Sequence, residues 1–287
     1  MKIINKEIAK AFLPKRPADS NKGTFGKALC VCGSENMMGA AVLAVKAALS
    51  AGVGYAVAAV PEKEKDVIFT SVPEAVVLPV GDKEEIASFV LKNKIDLVLA
   101  GPGLGKEKAS AYIPFLLNDL KLPFVLDGDG LNALTRADAQ AFKTPCVFTP
   151  HPLEAARLLC LKEPPCEKER ENAAKEISRR YNCVCVLKGK ETVIVYNNEV
   201  FINTTGSDSL AKAGTGDVLA GIITGFWAQE GKQNGFSFGS ALRAAVCGVY
   251  IHGLAGEDAA LDISSYSVLA SDLNKYIGRA IKKTLNN

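Results

Sequence analysis

Apolar residues in this chain fall into two kinds of stretch. Short unbroken runs occur at ALCVCG (28–33), GYAVAAV (54–60), IDLVLAG (95–101), PFVLDGDG (123–130) and PCVFTPH (145–151), and each predicts a strand. Between them, apolar positions recur every three or four residues. That spacing predicts helices at GAAVLAVKAALSAG (39–52), EEIASFVLKN (84–93), KASAYIPFLLNDL (108–120) and PLEAARLLC (152–160). The first of these stops at a glycine, and the last opens on a proline in its first turn. The strands are continuously apolar rather than alternating. A parallel sheet covered by helices on both faces has that character.

After residue 182 the pattern changes. CVCVLKG, TVIVYNN and EVFINTT are closely spaced strands, and YNNEV reads as a hairpin turn. Three helices follow, starting near 214, 236 and 266. The expected fold is α/β: a central, mostly parallel sheet, a short antiparallel section and a helical tail in one domain spanning 1–287. Ligands on such sheets bind beyond the carboxyl ends of the strands. Five turns bearing Gly, Asp or His fall at such ends: Gly33 onward, Gly101 to Gly105, Asp127 to Asn132, His151 to Glu154, and Lys188 to Thr192.

Composition narrows the function classes. The chain has 287 residues, 48% of them hydrophobic, and a net charge of +3, with no basic block or aromatic-interleaved patch. Nucleic acid is therefore not an expected partner. The EKERE run at 167–171 reads as solvated helix surface. No signal-type N-terminus and no uninterrupted apolar span is evident, so a cytoplasmic protein without a membrane segment is expected. Of eight cysteines, Cys30 and Cys32 alternate in one strand and Cys183 and Cys185 in another; neither pair has C-x-x-C spacing, which fits buried reduced thiols. Two histidines, His151 and His252, are too few for a His-rich metal site.

Four motifs carry candidate chemistry. GPGLGK (101–106) follows a strand, with Asp127 about twenty residues on. This approaches a dinucleotide fingerprint, but its G-x-G-x-G spacing is wrong, and a close backbone approach to some ligand fits better. TPHPLE (149–154) places His151 and Glu154 three apart at a strand-to-helix junction. That is a plain helix start, or a polar substrate contact beside a water-mediated Mg²⁺ ligand. LKGKET (187–192) is a solvated turn, or a phosphate-holding one. AKAGTGD (211–217) opens an apolar helix. Asp217 there complements the helix dipole, or it serves as a general base beside an anion cradle formed by the N–H groups of Gly214, Thr215 and Gly216.

Taken in order, LPKRPADSNKGTFGKALCVCGS, MMGAAVLAVKAALSAGVGY, AGPGLG, LDGDGLNAL, TPHPLEAARLL, LKGKETVI and GSDSLAKAGTGDVLAGIITG resemble the ADP/ATP-dependent NAD(P)H-hydrate dehydratases, nicotinamide-nucleotide repair enzymes of the ribokinase-like superfamily. The resemblance covers about residues 13 to 256. It implies a ribokinase-like fold and dehydration of the hydrated (6S) form of NADH or NADPH, driven by ADP or ATP with Mg²⁺. By the same likeness Asp217 is the base, and Gly214, Thr215 and Gly216 form the anion hole. Ala40, Gly103, His151 and Asp217 contact the hydrated dinucleotide. Lys188, Gly189, Lys190, Glu191 and Thr192, with Gly216, hold the nucleotide, and Glu154 meets magnesium through water. AKAG stands where the family often has ATGG, which leads to the expectation of Lys212 near the phosphates. Many relatives carry an epimerase domain ahead of this one; none is expected here. The resemblance also implies a homo-oligomer, a tetramer in the family. The alternative on the same scaffold is a vitamin-precursor kinase using the same Asp217.

Overall fold

The computed structural model describes residues 1–134 and 142–286. The strands are β1 (Lys2–Ile4), β2 (Lys27–Val31), β3 (Tyr55–Pro61), β4 (Val76–Val80), β5 (Leu97–Ala100), β6 (Phe124–Leu126), β7 (Cys146–Phe148), β8 (Val184–Leu187), β9 (Thr192–Tyr196) and β10 (Glu199–Asn203). They form one sheet in the order β1-β10-β9-β8-β7-β6-β5-β2-β3-β4. Only the β8–β9 and β9–β10 pairings are antiparallel. The turn between β9 and β10 has Asn197 at φ 50°, the left-handed geometry that a tight hairpin needs. The strands β2 to β8 therefore all end at the same edge.

The helices are α1 (Lys6–Phe12), α2 (Met38–Ser50), α3 (Lys65–Ser71), α4 (Lys83–Asn93), α5 (Lys106–Asn118), α6 (Asp129–Asn132), α7 (Pro152–Leu159), α8 (Arg170–Tyr181), α9 (Thr215–Asn234), α10 (Phe238–Ile263) and α11 (Ala270–Leu285). Strand residues divide by parity between two cores. Ala28, Cys30, Leu97, Leu99, Val125, Val147 and Val186 join α2, α9, α10 and α11 on one face. Leu29, Val31, Val98, Leu126, Phe148 and Leu187 join α4, α5, α7 and α8 on the other. Double coverage is why the strands read as unbroken apolar runs. Cys30, Cys32, Cys183 and Cys185 are buried free thiols in these cores. The helix α10 is apolar enough to cross a membrane, with mean hydropathy 1.2, yet 78% of its apolar window is buried inside the fold.

Several elements carry too weak a pattern to be read from the sequence. The strand β4 contains Pro79, tolerated because β4 is a sheet edge. The strand β1 is three residues long and mostly exposed. The short α1, α3 and α6 lack the length for a periodic signal.

Chain order places the switch point of the sheet between β2 and β5. From β2 the chain runs outward to β3 and β4; it returns to β5 and runs outward the other way. One helix contact sets what reaches that point. Gly221 and Gly225 of α9 face α2 so closely that an added Cβ would lie 2.2 Å from the Ala44 carbonyl oxygen and 2.5 Å from that of Ala48. The obstacle is backbone, so α2 itself would have to move. Gly221→Ala is expected to cost about 1–3 kcal/mol through overpacking. Helix propensity returns about 0.8–1.0 kcal/mol of that. Denaturant unfolding should show a lowered midpoint; an unchanged or raised one would show that α2 and α9 are not in obligatory contact.

Candidate functional site

The five turns singled out in the sequence meet at the carboxyl edge and are stitched together by hydrogen bonds. The Gly33 N–H donates to the Pro102 carbonyl at 2.8 Å, and the Gly105 N–H donates to the Asp129 carboxylate at 2.8 Å. The Lys188 N–H donates to the Pro150 carbonyl at 2.8 Å. A Cβ at Gly101 would lie 1.9 Å from the Asp127 carbonyl oxygen, and one at Gly103 would lie 2.7 Å from the Ala40 Cβ. Gly101 and Gly103 have positive φ, 118° and 60°. Glycine is thus needed twice over, for conformation and for space. The GPGLG turn is a close-approach turn that brings Ala40 and Gly103 together at the switch point. Asp127 does not serve it as a ribose acid: its carboxylate is buried and already bonded.

The helix α9 points its N-terminus at the same place. Gly214 caps it at φ 91°, with Leu43 Cδ1 2.6 Å and Ala270 Cβ 3.0 Å from an added Cβ. The Thr215 hydroxyl donates back to the Leu210 or Lys212 carbonyl, at 2.8 and 2.9 Å, which pins the turn. The Thr215 N–H also leans back to the Lys212 carbonyl at 3.4 Å. The first N–H groups of a helix lack intrahelical acceptors, so those of Gly216 and Asp217 are open to an anion. His252 of α10 is buried, and its Nε2 lies 3.0 Å from the Thr215 carbonyl. Burial pushes its pKa down to about 4, so the ring is neutral and donates through Nε2–H. No sequence signal marked His252 as a support of this turn. The Lys212 ammonium donates to the Tyr266 carbonyl at 2.6 Å. That contact occupies one donor of Lys212, the residue expected near the phosphates.

Three carboxylates surround one ammonium. The Lys188 Nζ donates to Asp127 Oδ1 at 2.7 Å and lies 3.8 Å from Glu154 Oε2. The Thr149 hydroxyl donates to the same Asp127 oxygen at 2.6 Å. Burial alone would push the Lys188 ammonium down; the charges of Asp127, Glu154 and Asp217 outweigh it and hold the group above its ordinary value. Asp217 is half-buried in the first turn of α9. Burial, then the Asp127 charge, push it up to about 7 against the opposing pull of Lys188. Glu154 is pushed up to about 7 as well, by burial first, with Lys188 again opposing.

His151 and Glu154 form a capping box at the start of α7. The His151 Nδ1 accepts the Leu153 and Glu154 N–H groups at 3.1 and 3.3 Å, and Glu154 Oε2 accepts the His151 N–H at 2.8 Å. The structural reading of this motif is therefore realised. The His151 side chain is nevertheless 44% exposed, with Nε2 3.4 Å from Glu154 Oε1. In the turn after β8, Gly189, Lys190 and Glu191 are exposed, and the buried Thr192 donates its hydroxyl to the Gly189 carbonyl at 3.0 Å. Arg170, buried at the start of α8, packs under Gly189, where a Cβ would lie 2.3 Å from its Nη1.

Among the described residues no cluster of three His, Cys, Asp or Glu side chains could cage a metal. The donor set nevertheless fits Mg²⁺ of the kind carried by nucleotide phosphates. Such ions keep most of their water and use one or two carboxylates. Asp127, Glu154 and Asp217 around a single Lys188 leave an acidic surplus facing the edge.

The sequence model of the NAD(P)H-hydrate dehydratase family matches residues 28–279. The chain is 32% identical over 278 residues to the ADP-dependent (S)-NAD(P)H-hydrate dehydratase of Bacillus subtilis, covering 96% of both proteins. It is 35% identical over 292 residues to the bifunctional NAD(P)H-hydrate repair enzyme Nnr of Moorella thermoacetica, covering 96% of this chain and spanning about half, 53%, of that longer relative. The crystal structure of the ADP/ATP-dependent NAD(P)H-hydrate dehydratase from Bacillus subtilis co-crystallised with ATP/Mg²⁺ superposes with a TM-score of 0.84 at 32% identity, covering 99% of this chain and 98% of that one. A family model matched over most of the chain, identity above 30% along nearly the whole length and a superposable fold lead to one conclusion: this chain belongs to the NAD(P)H-hydrate dehydratase family.

Proposed function

We propose that the protein removes water from the hydrated (6S) form of NADH or NADPH, using ADP with Mg²⁺. The observation that carries this reading is a half-buried carboxylate, Asp217, pushed up to about 7 in the first turn of a helix whose free N–H groups face the switch point. A base of that strength is matched to proton abstraction near neutral pH. Family membership favours the dehydratase over the vitamin-precursor kinase.

The chemistry follows from the groups in place. Hydroxide is a poor leaving group. Asp217 takes the proton of the ring C6 hydroxyl, and that oxygen attacks the terminal phosphorus of the nucleotide, releasing AMP from ADP. The N–H groups at the α9 N-terminus stabilise the charge on the transferring group. The C6–O bond then breaks, the ring nitrogen lone pair expels phosphate, and C5 loses a proton to restore the dihydropyridine. Ala40 and Gly103 let the dinucleotide approach backbone closely, and His151 offers Nε2–H to it. The turn Lys188–Thr192 and Gly216 take the nucleotide. Glu154 would hold a Mg²⁺ ion through water, and that ion would neutralise phosphate charge.

The reading is tested by incubating the protein with hydrated NADH, ADP and Mg²⁺. The near-ultraviolet absorbance of reduced nicotinamide should return; its failure to return would defeat the reading. ADP is expected to support turnover better than ATP at equal Mg²⁺, and a clear ATP preference would reverse that assignment.

Asp217→Asn keeps the shape and removes the base. Turnover should fall about 10²–10⁴-fold. In the parent, kcat/KM should rise with pH through about 7 as Asp217 ionises. Stability runs the other way. The folded pKa is raised, so the contribution of Asp217 is fully present below its unfolded value and is lost as pH rises through about 7. The asparagine variant should therefore gain stability relative to the parent between acidic and neutral pH. Equal pH dependence of melting in the two proteins would show that Asp217 is an ordinary exposed cap.

His151→Ala removes both a cap and a substrate contact. Lost capping should cost about 0.5–2 kcal/mol of stability. Binding of the hydrated dinucleotide should weaken by about 1–3 kcal/mol. ADP affinity, titrated separately, should hold; a parallel loss of both affinities would reduce His151 to its structural role.

A further inference from the structure

Asp127 is buried, and no step of the reaction above is assigned to it. A carboxylate in that position is costly unless donors compensate it. Its Oδ1 accepts both Thr149 Oγ1 at 2.6 Å and Lys188 Nζ at 2.7 Å, while Oδ2 lies 4.0 Å from where a Cβ on Gly216 would stand. Its three neighbours come from different elements. Thr149 follows β7, Lys188 follows β8, and Gly216 opens α9. The Lys188 ammonium itself lies 3.4 Å from that Gly216 Cβ position. The cation is thus held at the mouth of α9, where the helix N–H groups converge.

We propose that Asp127 is a positioning residue for phosphoryl transfer: it anchors the Lys188 ammonium at the N-terminus of α9, and Thr149 locks Asp127 in turn. The inference rests on the dehydratase reading above. An ammonium has three N–H donors. Asp127 takes one, and Glu154 at 3.8 Å is beyond hydrogen-bond length. The remaining donors are available to the oxygens of a transferring phosphoryl group. A lysine stem is flexible. Without Asp127, the ammonium would relax onto the nearest other carboxylates, Glu154 and Asp217. Pairing with Asp217 would oppose the burial that makes Asp217 a base. The groups acting on Asp217 are Asp127 from the end of β6, Lys188 from the end of β8 and Asp129 in α6. Asp127 therefore both fixes the cation where charge develops and keeps it off the base.

A purely structural reading is also concrete: Asp127, Thr149 and Lys188 tie together the ends of three adjacent strands. The two readings separate in kinetics. In Asp127→Asn, which keeps the acceptor oxygen for Thr149 and Lys188, kcat should fall by roughly 10²-fold. The KM values for ADP and hydrated NADH should stay within about threefold, because ground-state binding is retained. Combined with Lys188→Met, Asp127→Asn should lose clearly less than the product of the two single losses, since most of its effect runs through that lysine. Thr149→Val retains every charge and serves if the asparagine variant fails to fold; its kcat should fall about tenfold. Parent-like kcat in a folded variant, or losses that multiply in the double variant, would overturn the proposal. A parent enzyme without dehydratase activity would instead remove the reading beneath it.

Discussion

The approach of α9 to α2 is the constraint on which the rest of this structure depends. Side-chain-free positions at Gly221 and Gly225 set the two helices at backbone contact. That contact sets how far the N-terminus of α9 projects over the carboxyl edge of the sheet. At the projecting end the same economy of volume recurs. Gly214 leaves no room for a Cβ between Leu43 and Ala270, and Gly216 leaves the space beside which Lys188 lies. One run of glycines on one helix therefore positions an apolar interface at its middle and an anion-facing turn at its start. The packing is directly coupled to the chemistry: a shift of α2 against α9 would displace Asp217 from the turns it faces.

Electrostatics explains why the site holds its charges in the proportion it does. Three carboxylates and one ammonium lie together at the carboxyl edge, Asp127 and Glu154 buried and Asp217 and Lys188 partly so. Were all four fully exposed, each acid would titrate in its ordinary range. Burial separates their behaviour. Asp127 has two donors on one oxygen, while Asp217 and Glu154 face burial with only partial compensation and are both pushed up to about 7. Groups whose environments differ in this way can take different roles in one reaction. Under the proposed function, that surplus of acid would meet a nucleotide that arrives with its own cation.

Much of this was legible in the sequence because the informative features are local. Unbroken apolar runs gave the doubly covered strands, and the turns at their ends carried the glycines, acids and histidine that meet at the edge. The GTGD element and the HPLE capping box are short-range patterns, and each folds where it stands. What could not be read depends on distances across the chain. Nothing in the sequence pairs Asp127 with Lys188, sixty-one positions apart, or sets His252 under Thr215, thirty-seven apart. The ammonium of Lys212 is adjacent in sequence to the anion-facing turn, yet it bonds to Tyr266. The short edge strands escaped for another reason: three residues, or a proline, leave no periodicity to detect.

The two histidines close the account of proton handling by subtraction. His151 uses Nδ1 to accept two backbone N–H groups, so it presents only Nε2–H outward. His252 uses Nε2–H to hold the Thr215 carbonyl. Burial lowers the pKa of both, with Lys188 adding to the effect. Histidine is ordinarily the side chain that titrates near neutrality. Here that property has passed to Asp217 and Glu154, carboxylates whose burial carries them to the pH at which a histidine would act. The carboxyl groups of Asp217 and Glu154 are thus the ones that burial brings to neutral pH at this edge, while the imidazoles hold backbone, His151 as acceptor and His252 as donor.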